Sequence, residues 1–196
     1  MNPNAGVVPQ PVGPCPYATC NVVGELRQGE IISNLEQYVV TPRPGGDPDA
    51  RDVDAIPLPF VIVATPDCDL LQDFNLEAAQ KKLNEVLLFE ADEADAARQK
   101  MGKGRKEWKQ IAENHVAQFH VLKSVPVELD SGGVGVPELL VNFKRYFSLP
   151  ADEIVRQCNA ANGARRRSRL TDVWRENFHQ RAMAYLSRVA VPDVDD

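Results

Sequence analysis

The sequence predicts an α+β protein built on a small, strongly bent antiparallel β-barrel. Short strand-like runs follow one another between residues 29 and 149, and no regular alternation of strands with crossover helices is present. Apolar residues make up 43% and charged residues 26% of the 196 residues, which is typical of a folded globular chain. No run of residues approaches the roughly 18 consecutive apolar positions of a membrane span, so no membrane partner is expected.

Strands are predicted where β-branched and aromatic residues cluster. Residues 29–40 fit a first strand, and the apolar run 60–64, bounded by prolines, fits a buried central strand. Residues 41–59 are rich in proline and aspartate and are predicted to form a long polar loop. Further strand patterns occur at residues 84–89, 119–125 and 139–149, with a glycine-rich turn at 130–135.

Helices are predicted in the middle and at the end of the chain. Residues 91–118 fit a helical insert in two pieces around a basic, glycine-containing break at 100–106. A short helix is expected after Pro150. The clearest helical pattern is 170–189, whose apolar stripe consists of Leu170, Trp174, Phe178, Ala182, Tyr185 and Val189.

These elements predict how the chain is organised. Five short strands joined in this order suit a barrel of SH3-like type with a helical insert and a C-terminal helix. The prolines before residue 17 favour an extended arm, and no secretory signal is visible there, so a cytoplasmic location is expected. The predicted segments are a Pro-rich arm (1–22), the barrel domain (23–157), an Arg-rich linker with the C-terminal helix packed on the barrel (158–192), and an acidic tail (193–196).

The cysteines do not predict a cofactor. Without a secretory signal, reduced thiols are expected. Cys15 and Cys20 form a C-x4-C pair that is half of a zinc-site pattern, but no second pair and no suitably spaced histidine completes it. The phosphate-binding loop, the nucleophile elbow, the zinc-protease motif and the dinucleotide fingerprint are all absent from the sequence. Neither a metal nor a cofactor is therefore predicted.

The order of elements resembles the MazF/PemK-type toxin barrel. Residues 27–30, Arg-Gln-Gly-Glu, are similar to the Arg/Lys-x-Gly-Glu segment with which the first strand of that family begins. Residues 147–154 match the family's step from a strand through a Leu-containing turn into a short helix. The resemblance covers roughly residues 25–157 and implies a MazF-like barrel.

The catalytic positions of that family are not matched. Its toxins usually carry an arginine just before the second strand, where this chain has Leu58 and Pro59. They also carry Thr or Ser after the third strand, where this chain has Glu90 and Ala91. The resemblance therefore carries over no residue for RNA cleavage, and a non-enzymatic protein is expected.

A second resemblance is carried by residues 63–70, in which an apolar strand runs into Asp-Cys-Asp-Leu, and by the Arg-Val-x-x-Pro ending at residues 188–192. Bacterial proteins of uncharacterised activity with these features resemble accessory components of mobile-element or phage-defence loci. This implies a regulatory role in a bacterial defence or toxin-antitoxin-like system. Another protein of the same locus or complex would be the partner.

Asp67 and Asp69 are the candidate catalytic residues. In an extended strand both carboxylates would point to one side and would hold a divalent metal or act as a base. The alternative is that they cap the turn and the following helix. The two negative charges make Cys68 a poor nucleophile, and a small side chain of this type is expected to point inward.

Charge is distributed unevenly along the chain. Residues 1–98 contain 6 Lys/Arg and 16 Asp/Glu, a balance of −10, and residues 99–196 contain 16 and 12, a balance of +4. A basic half can bind RNA or DNA through phosphate contacts, with Trp108 stacking on bases, or it can be a solvated surface with a basic linker. The candidate binding residues are Arg165, Arg166, Arg167, Arg169, Lys103, Arg105 and Lys106.

Two hypotheses follow from the sequence. The first is a non-enzymatic protein-interaction module. The alternative is an RNA- or DNA-binding protein, or a divergent metal-dependent nuclease that uses Asp67 and Asp69. Salt-dependent binding of nucleic acid distinguishes them, because only the alternative requires it.

Overall fold

The structure is a computed structural model that describes residues 15–43, 45, 51–77, 80, 83–161 and 163–188. The strands in this part of the chain are β1 (Tyr17–Ala18), β2 (Glu30–Pro42), β3 (Arg51–Val63), β4 (Val86–Glu93), β5 (Phe119–Leu122), β6 (Leu139–Leu149) and β7 (Arg165–Leu170). The helices are α1 (Asp67–Phe74), α2 (Ala94–Met101), α3 (Arg105–Ala112), α4 (Ala151–Asn159) and α5 (Asp172–Leu186). Most of the arm and all of the acidic tail lie outside the described residues.

The strands form a single antiparallel sheet in the order β1-β7-β2-β3-β4-β6-β5. The sheet curls into a half-barrel, so the predicted α+β class is confirmed. Irregular pairing at Ile31/Ile32 of β2 and at Phe89/Ala91 of β4 adds local bends, because a bulge increases the twist of a strand. Gly29, with φ +80°, turns the chain into β2 where a Cβ would lie 3.1 Å from Leu170 Cβ.

The stretch expected as a long polar loop is mostly a β-hairpin. β2 continues to Pro42 and β3 begins at Arg51, with Pro42 opposite Arg51 and Val40 opposite Val53. β3 pairs with β4 only at residues 60–63. In the described part of the chain, residues 51–59 of β3 therefore have β2 on one edge and no strand on the opposite edge. A proline is tolerated at such an edge because no hydrogen-bond donor is needed there, which is how Pro57 fits within β3.

Apolar residues cover both faces of the central strands. Phe60 and Ile62 of β3 belong to the core that α5 closes, and Val61 and Val63 belong to the core beneath α1 and α4. A strand buried on both faces needs a continuous apolar run rather than an alternating one. This confirms the prediction of a buried strand at residues 60–64.

The helices also match their sequence patterns. The predicted two-piece insert is confirmed as α2 and α3, and α2 ends at Gly102 in the left-handed conformation. In α5, Phe178 and Ala182 are buried, Leu170 is the last residue of β7, and Val189 lies outside the described residues. No helix in the described residues is both long and apolar enough to cross a membrane.

Phe178→Ala tests whether α5 closes this core. Phe178 is buried and its ring lies 6.0 Å from that of Phe89, so we expect a loss of about 3–5 kcal/mol in the free energy of unfolding. Urea unfolding followed by circular dichroism measures it. Val173→Ala, an exposed change on the same helix, should cost less than about 0.5 kcal/mol. Equal costs for the two variants would contradict the assigned packing.

Candidate functional site

The arginine run expected as a linker is strand β7, and Arg166 is buried within it. Its Nε and Nη2 donate to the Glu30 carboxylate at 2.7 and 2.6 Å. Its Nη1 and Nη2 also donate to the carbonyls of Gly24 and Glu25 at 2.7 and 2.6 Å. The guanidinium group is therefore committed to folding the segment before β2 and is not presented to a phosphate.

Arg167 is committed in the same way to the turn between β5 and β6. Its Nε and Nη2 donate to the two carboxylate oxygens of Asp130 at 2.7 and 2.6 Å. Asp130 also accepts the backbone N–H groups of Gly132, Val134 and Gly135. Hydrogen bonds from Arg167 and the backbone outweigh burial and hold the pKa of Asp130 well below its usual range. A Cβ at Gly132 would lie 2.7 Å from Arg167 Nε, so this turn is shaped around the arginine.

The other candidate binding residues lie elsewhere on the molecule. Arg165 is exposed and Arg169 half-buried on β7. Lys103, Arg105 and Lys106 are exposed at the start of α3, where Lys103 Nζ lies 3.6 Å from a Glu107 carboxylate oxygen. Trp108 is half-buried against the core beneath α2 and α3, with the Arg98 guanidinium over its ring.

Asp67 is surrounded by cations. Arg27 donates to both of its carboxylate oxygens at 3.1 Å, Arg175 donates to Oδ2, and the backbone N–H of Gln28 donates to Oδ1 at 2.7 Å. Burial raises the pKa of Asp67, but these hydrogen bonds and charges prevail and its pKa is lowered. A carboxylate saturated by two arginines joins the chain before β2 to α1 and α5, and is a poor base.

The structure does not bring Asp69 to Asp67. Both residues lie in the first turn of α1, and residues two apart on a helix do not face each other. Neither carboxylate supplies a side-chain cap. Cys68, expected to point inward, is exposed and lies 3.6 Å from Asp69 Oδ1. Within the described residues no cluster of His, Cys, Asp and Glu forms a metal site.

A groove that the sequence did not predict lies between α1 and α4. Its volume is about 220 Å³, and we call it the α1–α4 groove. Four apolar residues at its margin are exposed, with Val23 at 88% and Phe74 at 54% the most accessible; the other two are Val22 and Val155. Its base includes Leu26, Leu70, Leu83, Cys158 and Arg166.

The groove has a carboxylate at its edge and a cysteine of low reactivity at its base. Asp73, which is buried, and Asp152, which is exposed, line it, and each already has an interaction partner. Among the described lining residues Arg166 is the cation, and it is neutralised by Glu30. Burial raises the pKa of the Cys158 thiol to about 11. A protonated thiol is a weak nucleophile. The arrangement suits binding of an apolar group rather than covalent chemistry.

Comparison of the chain with protein-family models, with curated proteins and with solved structures gives no significant match. The α1–α4 groove therefore has to be interpreted from its own geometry. The sequence did not indicate it, because Val22 falls in the predicted arm, Val23 begins the predicted barrel domain, and residues 67–69 fit the end of a strand. Leu70 and Phe74 are four residues apart, which is the spacing of one face of a helix. That spacing was the available signal for the α1 side of the groove.

Asp130→Asn tests the Arg167 pair. Breaking a buried ion pair costs about 3–5 kcal/mol, and urea unfolding at pH 7 measures the loss. Asp52→Asn, which breaks an exposed pair with Arg43, is the control and should cost less than about 1 kcal/mol.

The same variants test the pH dependence of stability. The folded-state pKa of Asp130 is lowered, so its contribution is present above the unfolded value of about 3.9 and is lost as the pH falls through the folded value. Unfolding of the Asn variant should therefore depend less on pH below about 4 than unfolding of the unmodified protein. Identical acid profiles would contradict the assigned role.

Proposed function

We propose that this protein is a non-enzymatic protein-interaction module that binds an apolar anchor of a partner protein in the α1–α4 groove. The observation that carries the proposal is the ring of exposed apolar side chains around a concave site. Exposed apolar patches rimmed by polar residues mark interaction sites in soluble proteins. Helix-lined grooves of this kind accept side chains such as Leu, Phe or Met from a partner helix.

The charge around the groove specifies the partner further. Asp69 is exposed on the same helix as Phe74, and the charge of Arg166 is neutralised by Glu30. The N-terminal half of the chain, which supplies α1, carries a balance of −10. We therefore propose a partner segment in which lysine or arginine flanks the apolar anchor, since complementary charge selects partners and speeds association.

We also propose that the curled sheet is an SH3-like, MazF-like barrel and that the protein acts in the cytoplasm. Its role would be accessory or regulatory in a bacterial defence or toxin-antitoxin-like system. The two sequence matches to the toxin barrel support this: residues 27–30 lead into β2, and residues 147–154 join β6 to α4. The partner would then be another protein of the same locus or complex.

A second candidate function, binding of RNA or DNA, is supported by the exposed Lys103, Arg105 and Lys106 beside Trp108. Lysines next to an aromatic ring suit a single strand. The support is narrower than the sequence indicated, because Arg166 and Arg167 are used inside the fold.

The double variant Phe74→Asp, Val155→Asp tests the groove. Placing carboxylates on two exposed apolar positions should leave the fold intact but remove the anchor's contacts. A lost anchor costs about 2 kcal/mol or more, or roughly 30-fold in affinity. The measurement is quantitative mass spectrometry of proteins retained by the tagged protein from a nuclease-treated lysate of its host, followed by titration of the retained partner.

Val173→Asp is the matched control, because Val173 is 61% exposed on α5 and lies outside the groove. We expect it to retain the partner fully. Retention of the same partner by the double variant would contradict the groove assignment. Partners that disappear on nuclease treatment, and that also require Lys103, Arg105 and Lys106, would instead support binding of nucleic acid.

A further inference from the structure

A second concave site lies where the half-barrel remains open. β1 and β5 are the two ends of the strand order, and a cavity of about 350 Å³ lies between them. We call it the seam cavity; its walls include β1, β5, the end of α3 and the first turn of α5. It shares no lining residue with the α1–α4 groove and is independent of the proposed function. Its lining residues include Tyr17, His120, Leu122, Leu170 and Trp174, together with the exposed and charged Glu113 and Lys123.

The seam is held open by side chains that replace strand pairing. The Tyr17 hydroxyl donates to the carbonyl of Lys123, which links the two ends of the sheet without a ladder of backbone bonds. Asn114 sits in the left-handed conformation, and its amide donates to and accepts from the backbone of Val121 at 3.2 and 2.6 Å. The backbone N–H and C=O of Val121, at the edge of β5 that faces away from β6, are thereby hydrogen-bonded without β1. These side-chain hydrogen bonds take the place of backbone pairing between β1 and β5, so the cavity between the two strands stays open.

Two polar atoms of residues that line the cavity are buried without a partner in the described part of the chain. They are His120 Nδ1 and Trp174 Nε1. An unsatisfied buried polar group costs about 1–3 kcal/mol. His120 is 1% exposed, and burial together with the charge of Arg181 lowers its pKa to about 3, so the ring is neutral. The Trp174 nitrogen is only a donor, so whatever satisfies it must be an acceptor.

The positive charge next to His120 indicates the sign of that acceptor. Arg181 acts on His120 electrostatically and is not one of the residues that line the cavity; it is 3% exposed, and its Nη2 donates to the carbonyl of Phe119 at 2.9 Å. Its Nε and Nη1 find no partner among the described residues, and no carboxylate there forms an ion pair with it. A buried cation without a counter-ion is costly, and an anion close by would relieve that cost.

We propose that the seam cavity binds a compact aromatic carboxylate. Its ring would pack against Tyr17 and Trp174 and against the aliphatic walls of Val121, Leu122 and Leu170. Its carboxylate would accept the N–H of Trp174 and the Nδ1–H of the neutral His120 ring, in the positive field of Arg181. The volume lies in the range of small-molecule sites, and apolar walls with a few convergent polar groups are the usual composition of such sites.

Titration with benzoate, followed by nuclear magnetic resonance of the two tryptophan indole N–H signals, tests the proposal. Trp108→Phe assigns the signals. We expect benzoate to shift the Trp174 signal saturably, with a Kd on the order of 1 mM or below for so small a ligand, and to leave the Trp108 signal in place. Toluene, which has the ring without the carboxylate, should bind at least about tenfold more weakly.

His120→Phe keeps an aromatic ring at this position and removes its nitrogen atoms. It should weaken benzoate binding about tenfold, while the melting temperature stays the same or rises because an unsatisfied buried group has gone. Should this variant fail to fold, Trp174→Phe followed by calorimetric titration serves in its place, with the same expected loss. A Trp174 signal that does not move, equal binding of toluene, or undiminished binding by the variant that folds would overturn the proposal and leave a water-filled cavity.

Discussion

Two buried arginines on β7 tie distant segments of the chain to the centre of the fold. Neighbouring residues on a strand point to opposite faces, so Arg166 and Arg167 reach different parts of the chain. Arg166 fixes residues 22–25, which form one wall of the α1–α4 groove. Arg167 binds Asp130 in the turn between β5 and β6, the last two strands in the sheet order. The pair thereby holds this turn against β7, the second strand from the opposite end of the order.

The chemistry of these pairs explains why the residues are arginines. A guanidinium group offers five N–H donors in a plane, so Arg166 binds a carboxylate at two points and still satisfies backbone carbonyls. A lysine has three donors on a single nitrogen atom, too few and too close together to bind the Glu30 carboxylate at two points and also both carbonyls. A phosphate would have to replace Glu30 and leave that carboxylate buried and unpaired, at a cost of several kcal/mol. A run of arginines in a sequence is therefore compatible with a wholly structural role.

The sequence predicts elements whose cause is local and misses those whose cause is distant. Residues 60–64 and 139–149 are strands because of their own apolar pattern, and the glycines near residue 103 divide the insert into two helices. The arginine run gave no local sign of its role, since Glu30 and Asp130 lie 136 and 37 positions away from their partners. The β2–β3 hairpin was missed because its prolines favour a loop unless the strand edge is known to be free.

The two concave sites differ in ways that follow from where the fold leaves polar groups. At the α1–α4 groove, Arg166 is paired, so the site offers apolar surface, and none of its described lining residues has a buried side-chain nitrogen or oxygen atom without a hydrogen-bond partner. At the seam cavity, the lining residue Trp174 retains an unpaired N–H donor, so the proposed ligand needs an acceptor that apolar contact alone cannot supply. β7 contributes Arg166 to one site and Leu170 to the other. β7 pairs with β2 along residues 165–169 and with β1 at residues 169 and 170, so one strand holds side chains of both sites in fixed register.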